Sequence, residues 1–187
     1  FEHTEPIFGF DASFYVFELP IYVAVIGLLT GSIFLSGILS TGVYFLRGAV
    51  GVSMQEVDGR FVPQGAHIHP PVRKHLGLLL ASWLLLLAVN ALLARYTLMY
   101  DQTGLFAGPG YSDLNGTLPS LYVKALGLAI AALLVGIGVS RSQIKWLVTG
   151  AVFGVAGWAL SATLPGFIQS IKVEPNVRSL EVAQIDH

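Results

Sequence analysis

Long apolar runs separated by short polar segments dominate the hydropathy pattern of this chain. A helix needs about 20 apolar residues to cross the roughly 30 Å hydrocarbon core of a bilayer, and four runs are long enough. The first contains no charged residue between Glu18 and Arg47. A very short turn joins the third run to the fourth, so we expect those two to form an antiparallel hairpin. The predicted spans are about 19-46, 75-95, 120-140 and 144-168.

Continuous apolar runs favour helices over barrel strands, because a strand of a barrel alternates between lipid-facing and lumen-facing residues. We therefore predict an all-α membrane protein, a bundle of about four transmembrane helices. Residues 1-18 are rich in aromatic side chains and should form an interfacial N-terminal segment. Residues 19-170 form the membrane domain, and residues 171-187 form an outer C-terminal tail or the start of a soluble domain. The first residue is Phe1 and no signal peptide precedes the first span, so we expect a section of a longer protein.

Composition agrees with a membrane location and excludes several kinds of functional site. The chain is 54% hydrophobic and 11% charged, whereas a soluble domain carries roughly 25% charged residues. The net charge of -1 gives no basic field that would attract nucleic acid. Cysteine is absent, which excludes disulfides, thiolate metal sites and cysteine nucleophiles from this chain.

The distribution of positive charge predicts the orientation. Most lysines and arginines fall in the connection between the first two spans and in the turn between the last two. By the positive-inside rule these connections face the cytoplasm, and both termini lie on the extracytoplasmic or lumenal side. The basic residues of these two connections are Arg47, Arg60, Arg73, Lys74, Arg141 and Lys145.

Small residues recur at helical spacing in the first and fourth spans. Helices in lipid associate through close backbone contact at such positions. Packing within this bundle is the favoured interpretation, and contact with helices outside the chain is the alternative. The candidate packing residues are Gly27, Gly31, Ser32, Ser36, Gly150 and Gly154.

Ionisable residues are scarce inside the spans. Lys124 and Arg95 lie near span ends, where their side chains can reach the interface, and Asn90 is expected to hydrogen-bond to a neighbouring helix. No catalytic arrangement is present. The pattern argues against a proton-coupled carrier or an ion channel built from this chain alone.

Three histidines lie close together, at His67, His69 and His75. We favour interfacial histidines in a basic connection. A metal site is one alternative, although no carboxylate motif accompanies the cluster. A second alternative makes His75 an axial ligand to a tetrapyrrole. The histidine pattern does not require a cofactor. The candidate ligands are a chlorophyll-type pigment and a lipid.

Six short blocks occur in order along the chain, at 11-20, 74-76, 95-100, 108-113, 118-119 and 173-176. Together they resemble the uncharacterised protein family numbered 0182, which consists of large multi-pass membrane proteins of bacteria, including cyanobacteria. Pro109 and Ser112 depart from the family pattern. The resemblance implies one membrane section of such a protein, with an outer loop of unknown role at Gly108, Tyr111 and Asp113.

Two functional hypotheses follow. The favoured one is a non-enzymatic integral membrane subunit or scaffold that packs against a larger membrane protein assembly. The resemblance adds a photosynthetic complex as one candidate host, in a bacterial plasma membrane or a cyanobacterial thylakoid. The alternative is a membrane section of a transporter or membrane enzyme whose polar site lies on other spans or domains. Expected partners are the lipid bilayer and other membrane protein subunits.

Overall fold

Four long helices and one β-hairpin make up the fold in the computed structural model, which describes residues 7-57, 59-100 and 113-173. Within these ranges, four helical segments are long and apolar enough to cross a membrane. The elements are α1 (Leu19–Leu46), β1 (Val50–Val57), β2 (Arg60–Ile68), α2 (Pro70–Thr97), α3 (Leu118–Arg141) and α4 (Ile144–Ile168).

Two of the helices start earlier than predicted, and a proline explains each start. Helix α2 begins at Pro70 instead of near His75, and α3 begins at Leu118 with Pro119 in its first turn. Proline is favoured there because its missing N–H would be unpaired in any case and its φ is already helical. The predicted bounds of the first and fourth spans agree with α1 and α4.

A β-hairpin lies in the connection between the first two spans, where the sequence analysis predicted no strand. Strands β1 and β2 pair antiparallel, with Val50 opposite Ile68 and Val57 opposite Arg60. Gly59 adopts a φ of +73° at the turn, a conformation that glycine reaches without steric cost. The sequence Asp58-Gly59 between two valine-containing stretches is a recognised hairpin signal that the hydropathy reading passed over.

The helices pack in chain order: α1 on α2, α2 on α3, and α3 on α4. Helix α3 is the most buried of the four, while none of the most apolar 18-residue window of α1 is buried. The prediction of four helices is confirmed, but they form an open layer with α1 at one edge. An edge helix keeps most of its surface free of contact with the rest of the described chain.

The two ends of the layer differ in composition. At one end, here called the aromatic end, the residues before α1 meet the end of α2, and the end of α2 meets the start of α3. At the other, here called the basic end, lie the β-hairpin and the α3–α4 turn. In that turn Ser142 adopts φ 56°, and the Gln143 N–H donates to the Gly138 carbonyl at 3.1 Å.

Candidate helix-packing surfaces and polar sites

Helix α1 contacts α2 through one narrow strip. Its half-buried positions recur at alternating intervals of three and four residues, the spacing of a left-handed helix pair. Phe34 stacks on Trp83 of α2 beside this strip, with ring centroids 5.3 Å apart. The strip consists of Val23, Ile26, Thr30, Ile33, Gly37, Ser40 and Tyr44.

The opposite side of α1, here called the open face, contacts nothing else in the described residues. Leu28 is 71% exposed and Leu46 is 84% exposed. A Cβ added at Gly27 or Gly31 would meet no described atom within 4 Å. Candidate packing residues of the first span therefore lie away from any interface within the described chain.

The two serines predicted to pack from α1 are exposed as well. The Ser36 hydroxyl donates to the Ser32 carbonyl at 2.8 Å. This bond satisfies the hydroxyl within the helix, so Ser36 presents a small surface to its surroundings without an unpaired donor.

The glycine pair of α4 contacts α3. A Cβ at Gly150 would lie 3.1 Å from the Ala131 carbonyl oxygen, and one at Gly154 would lie 3.4 Å from the Ala131 Cβ. A tighter contact joins Gly127 of α3 to Gly157 of α4, where an added Cβ on Gly127 would lie 2.8 Å from the Gly157 Cα. The sequence analysis missed this pair. The feature that could have revealed it is the position of Gly157, which lies on the same helical face as Gly150.

His75 pairs with Tyr44 across α1 and α2. The Tyr44 hydroxyl lies 3.0 Å from His75 Nδ1, and the two rings meet edge to face. His67 lies in β2 opposite Gly51, and the His69 N–H donates to the Ala49 carbonyl at 3.1 Å. Among the described residues, no group of three or more potential metal ligands forms. The contacts of His75 are those of a helix-packing residue.

Arg95 joins α2 to α3 at the aromatic end. Its guanidinium donates to the Tyr122 hydroxyl at 3.0 Å and to the Tyr96 hydroxyl, and lies 4.5 Å from the centroid of the Tyr96 ring. Sequence reasoning had only placed Arg95 at the interface. It missed these contacts because Tyr122 lies on another helix, and because the bond to Tyr96 depends on the exact direction of the two side chains.

The residues before α1 dock on Tyr96. The rings of Phe8, Phe10 and Phe14 lie 5.1, 5.6 and 5.4 Å from the Tyr96 ring, and the Tyr100 hydroxyl donates to the carbonyl of Tyr15. The aromatic residues predicted as interfacial anchors thus also hold the N-terminal segment against α2.

Asp11 fixes the turn that precedes this docking. The Ser13 N–H donates to Asp11 Oδ1 at 2.7 Å. Hydrogen bonds from the Ser13 side chain and backbone lower the pKa of Asp11 from 3.8 to about 2. Asp11 therefore stays ionised through the ordinary pH range and keeps accepting these bonds.

Asn90 and Lys124 line one cavity of about 340 Å³ between α2 and α3, with Trp158 of α4 at its edge. Asn90 lines this cavity, and its expected hydrogen bond to a neighbouring helix stays a prediction.

The predicted outer loop is described only at its end. Gly108 and Tyr111 lie outside the described residues, as does the tail from residue 174 onward. Asp113 opens a short helical turn, Asp113–Thr117, in which the Thr117 hydroxyl donates to Asp113 Oδ1 at 3.2 Å.

Four long apolar helices arranged as an open layer define an all-α chain whose length and composition suit a membrane. The chain belongs to the uncharacterised protein family UPF0182, whose model matches residues 1–187. The family resemblance drawn from the sequence blocks is confirmed.

Curated bacterial relatives, each described as a UPF0182 protein, match nearly the whole chain. A protein of Micrococcus luteus is 34% identical over 98% of this chain and 17% of its own length. One of Geobacter sulfurreducens is 30% identical over 97% of this chain and 20% of its own length. One of Clavibacter sepedonicus is 32% identical over 95% of this chain and 18% of its own length. This chain thus spans about a fifth of the relatives it matches, and no solved structure matches it.

Proposed function

We propose that this chain is a non-enzymatic, helix-packing section of a larger membrane protein, and that the open face of α1 receives further transmembrane helices. The observation that carries the proposal is the contrast between α1 and α4. Gly150 and Gly154 of α4 contact a neighbouring helix, whereas Gly27 and Gly31 of α1 meet no described atom.

The physical argument rests on what glycine does in a lipid-embedded helix. Small residues let two backbones approach closely, which is the main source of helix association where the surrounding lipid is as apolar as the side chains. A helical glycine facing only lipid gains none of this contact, yet it costs about 0.5–1 kcal/mol relative to alanine. Close packing by a further helix would give Gly27 and Gly31 the role that Gly150 and Gly154 have.

The relatives support a source for such helices. They are about five times as long as this chain, which covers 17% of the Micrococcus luteus protein and 20% of the Geobacter sulfurreducens protein. We propose that the partner helices come from the rest of a family protein of that size. The lipid bilayer remains the partner of the other exposed apolar surfaces.

The proposed setting is a bacterial membrane, with the basic end in the cytoplasm and the aromatic end outside. Support comes from the bacterial relatives and the positive-inside rule. No relative named above carries a name that refers to a photosynthetic complex, so the proposal includes no photosynthetic host. Among the described cations of the four long helices, Arg95 and Lys124 lie toward the aromatic end. The others lie at the basic end, and they are Arg73, Lys74, Arg141 and Lys145. Cations confined to the two ends of the helices give a transporter pathway less support.

A pair of matched substitutions tests the proposal in the full-length protein. Gly31→Leu places a bulky side chain on the open face, while Gly166→Leu makes the same change at an exposed helical glycine of α4 that also meets no described atom within 4 Å. We expect Gly31→Leu to lower the thermal stability of the full-length protein in mild detergent and Gly166→Leu to leave it unchanged. Equal behaviour of the two variants would contradict the proposal.

A further inference from the structure

A groove runs along the layer between α2 and α4, with α3 as its floor. Near the aromatic end it holds the cavity of about 340 Å³ that Asn90 and Lys124 line. Toward the basic end it continues as a second cavity of about 430 Å³. The two cavities share Leu87, Leu128 and Trp158 as lining residues, so they form one continuous depression.

The two parts of the groove differ in polarity. The part near the aromatic end holds one cation and one amide, on Lys124 and Asn90. The other part is lined by apolar or small residues from three helices, among them Leu84, Val135 and Val155. A groove that is charged at one end and apolar along the rest matches a ligand with an anionic head and a hydrocarbon tail.

Lys124 is placed to meet such a head. It lies roughly 9 Å along the helix axis from Leu118, at 1.5 Å per residue, which brings it close to the headgroup layer of a spanning α3. Within the described part of the chain, no carboxylate pairs with its ammonium group. A lysine near a span end can extend its ammonium group to the interface, where it attracts an anionic lipid head group.

We propose that this groove binds an anionic phospholipid, with its phosphate on Lys124 and Asn90 and one acyl chain along the α3 floor. The ammonium supplies the charge, and the Asn90 amide supplies a hydrogen bond to a phosphate oxygen. Trp158, which is 60% exposed, lines both parts of the groove, at the point where head and tail would meet. The inference does not depend on the open face of α1.

Small residues give the tail its room. Gly150, Ala151 and Gly154 line the apolar part of the groove. A Cβ added at Gly154 would meet only the Ala131 Cβ, at an ordinary 3.4 Å. Ala151 is exposed and lines the same part of the groove, so Ala151→Leu should fill the groove and leave the contact of Gly154 with α3 in place.

The test uses the full chain in phosphatidylcholine bilayers that contain phosphatidylglycerol with a diazirine in one acyl chain. After photolysis, peptide mapping should place adducts on the groove walls, at 80-91 of α2 and 147-158 of α4. Unlabelled phosphatidylglycerol should compete, and added phosphatidylcholine should not. One lysine near a membrane surface contributes about fivefold in affinity for an anionic lipid, so Lys124→Gln should weaken labelling about fivefold.

Matched variants separate the site from general attraction to anionic lipid. Lys145→Gln removes an exposed lysine at the basic end and should leave labelling of the groove unchanged, as should Lys124→Arg. Ala151→Leu should abolish labelling of the walls while the protein stays folded by circular dichroism. Equal competition by both lipids, adducts spread evenly over all exposed helix faces, or wild-type labelling in Lys124→Gln would each overturn the proposal.

Discussion

The backbones of α3 and α4 touch at Gly127 and Gly157: a Cβ placed on either glycine would lie 2.8–2.9 Å from the Cα of the other. No side-chain movement can relieve such a contact, because both partners are main-chain atoms. The pair therefore fixes how closely these two helices approach.

Substitution of Gly127 tests this contact. Gly127→Ala should destabilise the chain by about 1–3 kcal/mol, the usual cost of overpacking a close contact. Gly136→Ala is the control, because Gly136 is also in α3 and its added Cβ meets no described atom within 4 Å. Reversible unfolding in mixed micelles measures both. Similar stabilities of the two variants would show that the helices are not in contact at Gly127.

Tyr96 is the residue on which the N-terminal segment docks. Each aromatic pair contributes about 0.5–1.5 kcal/mol beyond the area it buries, and Tyr96 makes three such pairs with Phe8, Phe10 and Phe14. Tyr96→Ala should release this segment and accelerate chymotrypsin cleavage near Phe10, with α1 still helical. Trp146→Ala at the basic end is the control and should not change the cleavage rate.

Asp11 should titrate well below an ordinary aspartate. Its pKa of about 2, lowered from 3.8 by the hydrogen bonds from Ser13, is measurable from the carboxyl ¹³C shift in a pH titration. Ser13→Ala removes the side-chain hydrogen bond, and the pKa should rise toward 3.8. A pKa that is the same in wild type and Ser13→Ala would contradict the described turn.

The lowered pKa of Asp11 makes the stability of the N-terminal turn depend on pH. Because the folded-state pKa is depressed, Asp11 stabilises the N-terminal turn at pH values above 3.8, and this contribution is lost as the pH falls toward 2. Docking of the N-terminal segment should therefore weaken below pH 4 in wild type. In Asp11→Asn, docking of the N-terminal segment should not change over that pH range. Solvent exchange of the Ser13 amide, compared between the two proteins at each pH, measures the difference.

Hydropathy predicted the four long helices well because long, uninterrupted apolar runs favour helical structure. The ends of α1 and α4 follow from the charged or polar residues beside them, whereas α2 starts early because Pro70 can begin a helix before the apolar run does. The β-hairpin was missed because its pairing joins two short stretches whose alternation is weak beside the long apolar runs.

The polar contacts were harder to predict, since they depend on which helices are neighbours. Arg95 and Lys124 both looked like cations at span ends, yet Arg95 bonds to Tyr122 while Lys124 faces a cavity. Gly27 and Gly150 likewise begin identical glycine patterns, and only the packing order of the helices separates their surroundings. A sequence contains the spacing of residues along each helix, but it does not say which helices pack against each other.

The central claim, that further helices cover the open face of α1, is tested most directly by site-specific photocrosslinking in native membranes. A benzoylphenylalanine replaces Leu35 on the open face, 56% exposed, and in a second protein replaces Val152 of α4, 60% exposed. Both lie roughly 24 Å from the aromatic end, at 1.5 Å per residue, so they sample the same depth of the bilayer.

We expect the probe at position 35 to crosslink to a peptide from another transmembrane segment of the full-length protein, while the probe at position 152 yields lipid adducts. Lipid adducts alone at both positions would mean that the open face of α1 is covered by lipid, and would contradict the proposed packing role.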